Sequence, residues 1–143
     1  MSSTGCILRT AQTVANHFGL TTALMAEDPH LATLDGRLHP AATIYCAVTG
    51  TTPDAFLTDQ DMATAVIETN ESVMEAIRWI SVCLPTQPTG DDHLGHLFTW
   101  WDETNLRLGG HPNTPDFIGL LDRAAATADT LTDIPAQHPP LAA

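Results

Sequence analysis

The densest run of side chains able to do chemistry is Asp91-Asp92-His93-Leu94-Gly95-His96. On a helix, His93, His96, Trp100 and Glu103 stand at offsets of 0, 3, 7 and 10 and share one stripe. Two imidazoles and a carboxylate on such a stripe are the donor types of a divalent metal site, which makes His93, His96 and Glu103 the candidate ligands. His111 or Asp102 would have to fold back to complete the shell. A metal held there would lower the pKa of a bound water for hydrolysis, with Glu103 or Asp92 as base. The competing reading is an exposed helix face whose histidines are simply polar. No cofactor other than a divalent metal is implied.

A second constellation centres on cysteine. Cys46 would be a nucleophile if His17 or His39 lay beside it to hold a thiolate. Its neighbours Ile44, Tyr45, Ala47 and Val48 favour a buried, inert thiol instead. Cys6, Cys46 and Cys83 are too widely spaced for a Cys-x-x-Cys motif, and the expectation is three free, largely buried thiols. Asp59-Gln60-Asp61 lacks the glycine and terminal glutamate of a calcium loop and reads as charge in the first turn of a helix. Trp79 and Trp101 read as core, whereas Trp100 falls off the apolar stripe of its helix and offers a contact surface.

The charge balance excludes more than the motifs suggest. All five basic residues are arginines, there is no lysine, and seventeen carboxylates leave a formal charge of −12 on 143 residues. Without lysine there is no phosphate-loop lysine, no Schiff base and no kinase-type ion pair. The acid excess argues against direct nucleic-acid binding, which draws its affinity from cationic side chains. The arginines, Arg9, Arg37, Arg78, Arg107 and Arg123, are spread one per segment, so no helix offers the basic face of a DNA reader. No basic leader precedes an apolar run and no stretch of about 18 apolar residues occurs, which gives the expectation of a cytoplasmic protein without a membrane segment.

These residues need helices to position them. Ile7, Leu8, Ala11, Val14, Ala15 and Phe18 recur at helical steps over residues 4–18, with Ser3 or Thr4 as cap and Gly19 as stop; Leu8, Val14 and Phe18 are its expected core residues. Residues 21–40 read as a long structured loop, with turns at Glu27-Asp28-Pro29 and Asp35-Gly36 around Leu24, Met25, Leu31 and Leu34. Residues 40–50 carry strand-favouring side chains between a helix-starting Pro40 and a helix-ending Gly50, and the balance favours a buried helix. Thr58 is the expected cap of an amphipathic pattern over 59–83 that breaks near Thr69-Asn70 or runs through as one helix. Pro85–Gly90 is a connecting loop, Asp91 or Asp92 caps the next helix, and Thr114-Pro115-Asp116 announces the last. The expectation is an all-α, compact single-domain bundle of about five helices over residues 4–131, followed by a proline-rich, disordered tail over 132–143.

Leu34-Asp35, Leu38-His39-Pro40-Ala41-Ala42, Cys46-Ala47-Val48, Trp101-Asp102 and the stretch from Phe117 to Ala125 together carry a resemblance. In these residues the chain resembles a small actinobacterial and actinophage family of unknown function. That family has a Cys-Ala-Leu-Gly-Ala segment, a Trp-Asn-Asp turn and a C-terminal alanine-rich helix. Cys46, Trp101 and Asp102 are the motif positions; Thr49 stands where the family has glycine, and no asparagine accompanies Trp101-Asp102. The resemblance implies a mostly helical domain and no activity.

Two functions follow. The first is an acidic, non-enzymatic interaction protein that binds a basic patch of a partner protein, with Trp100, Asp91 and Asp92 at the contact, or competes with DNA for a nucleic-acid-binding protein. The alternative is the metal-dependent hydrolase centred on His93 and His96.

Overall fold

In the computed structural model, residues 3–21, 30–109 and 111–131 are described. They form seven helices and no strand: α1 (Thr4–Phe18), α2 (Pro40–Thr49), α3 (Ala55–Thr58), α4 (Gln60–Glu68), α5 (Glu71–Val82), α6 (His93–Arg107) and α7 (Thr114–Thr130). The all-α expectation holds, whereas the count of about five helices does not. Two local causes raise it. Asn70 accepts from the Val73 N–H at 3.1 Å and starts α5 afresh, which splits the 59–83 pattern. Asp59, rather than Thr58, caps α4 by accepting from the Met62 N–H at 3.2 Å, while Thr58 closes the single turn α3. None of the helices is long and apolar enough to cross a membrane.

Side-chain caps fix the other boundaries. Ser3 accepts from the Cys6 N–H at 3.1 Å to start α1. His39 caps α2 through Nδ1, with Pro40 opening the helix and Gly50 closing it at φ 74°, a left-handed conformation that glycine adopts without Cβ strain. The ambiguous 40–50 stretch is therefore a helix, and five consecutive residues from Pro40 to Ile44 are buried in it.

The core lies around α5, which packs against α1, α2, α4, α6 and α7, while α1 lies across α2 and α7. Leu8, Phe56, Ile77, Leu97, Trp101 and Phe117 are among its largest fully buried side chains. Short backbone bridges pin the segment before α2: the Thr21 N–H donates to the Leu38 carbonyl at 3.0 Å and the Leu31 N–H to that of Phe56 at 2.9 Å. Leu31 is buried there, whereas Leu34 at the Asp35-Gly36 turn is 96% exposed. The turn expected at Glu27-Asp28-Pro29, Leu24 and Met25, and the tail over 132–143, lie outside the described residues.

Two core assignments need correction. Phe18 is 44% exposed and stacks edge-on against His17, because at the end of α1 its ring borders an open surface depression with Leu38, Pro53 and Leu57 and does not enter the core. Val14 is only partly buried against the core. The thiols differ as well: all three are free, but Cys6 is exposed and Cys46 and Cys83 are half-buried. A thiol reagent applied to folded protein should therefore modify one cysteine rapidly, mapped to Cys6, and two slowly. Three equally slow thiols would contradict this arrangement.

Candidate functional site

The first turn of α6 faces the last turn of α5 across the loop at 83–92. Asp92 caps α6, its Oδ1 accepting from the Gly95 N–H at 2.9 Å. The absence of a side chain at Gly95 makes room for that carboxylate, since a Cβ there would come within 2.7 Å of the Asp92 Cγ. Replacing Asp92 by alanine should lower stability by about 1 kcal/mol, and asparagine, which keeps the accepting oxygen, should recover most of it. Thermal melts of the two variants check the cap; equal losses would show that charge, not the hydrogen bond, is what matters.

His93 and His96 do converge, but on a hydroxyl. Ser81, near the end of α5 and 1% exposed, places its Oγ 2.7 Å from His96 Nδ1 and 3.0 Å from His93 Nδ1. The far nitrogen of His96, Nε2, lies 2.7 Å from Thr86 Oγ1 on the connecting loop. Thr86, His96, Ser81 and His93 thus form one continuous chain of hydrogen bonds. Burial depresses the His96 pKa and the neighbouring His93 adds to the effect; for His93, burial acts first and Arg78 second, against Asp91 and Asp92. Both imidazoles are thereby favoured in the neutral form.

Both ring nitrogens of His96 are engaged in this chain, so the stripe of His93, His96 and Glu103 does not assemble as three convergent ligands. Among the described residues no group of three His, Cys, Asp or Glu side chains could hold a metal ion. Glu103 instead borders, with His96, a depression of about 330 Å³ also lined by Thr86, Gln87, Asp92 and Thr99. A second depression of about 400 Å³, between α4 and α6, is lined by Asp61, Glu68, Asp92, Gly95, Leu94 and Phe98. The two adjoin at Asp92 and Gly95, forming a trough edged by four carboxylates, with no arginine in either lining.

The other candidates fall elsewhere. Burial raises the Cys46 thiol pKa, opposing a thiolate, and His39 uses its Nδ1 to accept from the Ala41 N–H at 3.0 Å. His39 is fully buried, edge-on to Phe98 at 4.9 Å between ring centroids. Trp101 is core, its Nε1 donating to the Thr21 carbonyl at 3.0 Å, and Trp79 donates to Glu75 at 3.1 Å. Trp100 is half-buried, 5.9 Å from Trp101 between ring centroids, and Asp102 is partly buried on the same helix. Asp91 and Asp92 are exposed.

Sequence reading missed Ser81 and Thr86. Neither stands in a motif, and the partners of Ser81 are 12 and 15 residues away. The one usable signal was a polar serine at an inward position between Ile80 and Val82. No protein-family model matches the chain, and comparisons with curated proteins and with solved structures find no match.

Proposed function

We propose that this chain is an interaction protein whose acidic trough between α4, α6 and the 83–92 loop receives basic side chains of a partner protein. The observation that carries the reading is the pair of adjoining depressions sharing Asp92, edged by Asp61, Glu68, Asp92 and Glu103 without a lining arginine. Carboxylates around a concave surface focus a negative field that draws cationic groups in. Phe98, half-buried in the same lining, gives the aliphatic stems of arginine or lysine an apolar surface to lie on. The formal charge of −12 extends the attraction beyond the trough. A basic patch that binds here is of the kind that binds a phosphate backbone, so competition with DNA for such a partner follows from the same chemistry.

The test is titration with an octa-arginine peptide, read by calorimetry. Raising ionic strength from about 0.01 to 0.15 M shortens the screening length from about 30 to 8 Å and should weaken binding at least tenfold. The double variant Asp61→Asn/Glu68→Gln should weaken it at low salt, while both carboxylates lie on the exposed side of α4 and leave the core intact. Absence of binding at low salt would refute the reading. Salt-independent binding abolished by Trp100→Ala would move the interface to the tryptophan.

A further inference from the structure

We infer that Thr86 is an activated hydroxyl, with His96 as its general base and Ser81 and His93 behind it as a proton relay, and that the depression beside it accepts a small ester carrying a cationic group. Thr86 Oγ1 and His96 Nε2 are 2.7 Å apart, His96 Nδ1 and Ser81 Oγ 2.7 Å, and Ser81 Oγ and His93 Nδ1 3.0 Å. A nucleophile in contact with a base that is itself oriented by a third group is the arrangement that hydroxyl activation requires.

The protons of the chain can be placed completely. A neutral imidazole has one N–H and one lone pair, and a hydroxyl donates once and accepts up to twice. In one arrangement Thr86 donates to His96 Nε2, His96 Nδ1–H donates to Ser81, and Ser81 donates to His93 Nδ1. In a second every donor is reversed, and in a third Ser81 accepts from both imidazoles while Thr86 still donates to His96 Nε2. The first and third leave a lone pair of His96 aimed at the Thr86 proton, as a base needs, and the first alone carries the proton chain on to His93. Tying the loop to α6 would require only the Thr86–His96 contact; the relay continues through a buried serine to a second, half-exposed imidazole.

Thr86 is exposed and lines the same depression as His96, Gln87, Asp92 and Glu103. Two carboxylates at its edge favour a substrate with an ammonium group, and a space of about 330 Å³ limits it to a small molecule. The reaction balances as ester hydrolysis. Thr86 Oγ1 bonds to the ester carbonyl carbon as its proton passes to His96 Nε2 and the carbonyl electron pair moves onto oxygen. Collapse of that adduct breaks the ester C–O bond, and the departing alcohol takes the proton from Nε2, leaving an acyl-threonine. Water then attacks the acyl carbon with the same base, and the second collapse returns the proton to Thr86 and releases the acid. Nothing is oxidised or reduced.

The experiment treats the full chain with a fluorophosphonate, which phosphonylates activated hydroxyls, and locates the adduct by peptide mass mapping. One adduct on Thr86 is expected, absent from Thr86→Val, retained or faster in Thr86→Ser, and at least about a hundredfold slower in His96→Gln, the scale of general-base assistance. Should His96→Gln fail to fold, the two variants of exposed Thr86 decide alone. A lack of adduct on Thr86 in the parent chain, or equal labelling of Thr86→Val, overturns the assignment. A 4-nitrophenyl ester bearing a trimethylammonium group should be hydrolysed about tenfold faster than its neutral isostere, roughly the effect of one partly exposed charge contact. Equal rates would overturn the substrate class. Phosphonylation does not depend on partner binding, so its outcome is separate from that of the arginine-peptide titration.

Discussion

Acidified from pH 7 to pH 3, the protein should lose roughly 5 kcal/mol of stability through His39 alone, a large part of the total of about 5–15 kcal/mol typical of a folded domain. His39 is fully buried, and burial pushes its pKa down to about 3 from an ordinary 6.5. In the unfolded chain it takes up a proton near pH 6.5, whereas in the folded chain it remains neutral down to about 3. Between those values the unfolded state binds the extra proton. Each tenfold rise in proton concentration then favours unfolding by about 1.4 kcal/mol. The stabilisation is fully present above pH 6.5 and is lost as the pH falls through that window. His93 and His96, both shifted down, steepen the loss in the same direction.

Protonation of His39 has a specific structural price. Nδ1 accepts from the Ala41 N–H, and among the described residues Nε2 has no hydrogen-bond partner. A second proton on the ring would displace the cap of α2 and place a charge in a fully buried site at the positive end of that helix. His39→Asn keeps an acceptor for the capping bond and removes the titration. Denaturant midpoints measured from pH 7 to pH 4 should fall steeply in the parent and much less in the variant. Parallel curves would refute the assignment to His39.

Trp101→Ala should cost about 3–5 kcal/mol, the range for removing a buried aromatic side chain. The indole is fully buried, meets Phe117 edge-on at 6.0 Å between ring centroids, and ties α6 to the segment after α1 by donating to Thr21 at 3.0 Å. Trp101→Phe keeps most of the apolar volume and gives up the hydrogen bond, with an expected loss of about 1–3 kcal/mol. Phe18→Ala is the contrasting control. Its exposed ring should cost less than about 1 kcal/mol, although the periodicity of α1 assigns it to the core. Urea denaturation of the three variants tests the order, and a Phe18 loss as large as that of Trp101 would overturn it.

Trp101 and Phe18 show where periodicity stops being informative. Both belong to an apolar pattern of the right spacing, but a helix stripe reports a direction and not whether a neighbour lies at the end of it. Trp101 sits mid-helix against Phe117 of α7 and the Thr21 carbonyl, and Phe18 sits on the last turn of α1 at the rim of an open depression that it shares with Leu38, Pro53 and Leu57. The Thr69-Asn70 break was legible because asparagine competes locally for backbone N–H groups. The short α3 was not, because one turn over Ala55–Thr58 has too few residues to show a period, and the burial of Phe56 is what holds it.

The same division runs through the site. Helix starts to within a residue of Ser3 and Asp92, the break near Asn70, and the juxtaposition of His93 with His96 were determined by the sequence, because each depends on atoms within about one helical turn, whereas the strand-favouring side chains of 40–50 left helix and strand both open there until the fold buried Pro40 to Ile44 in a helix. The net charge and the absence of lysine were equally local facts. What His93 and His96 face was decided only by tertiary structure. Packing α5 on α6 delivers Ser81 between the two imidazoles, the loop brings Thr86 to the remaining nitrogen, and α4 sets Asp61 and Glu68 beside Asp92. Those meetings join residues from separate helices and a loop, and no spacing along the chain encodes them. They exist because burying the apolar stripes of α5 and α6 against each other leaves one relative placement in which the buried hydroxyl and imidazoles satisfy one another.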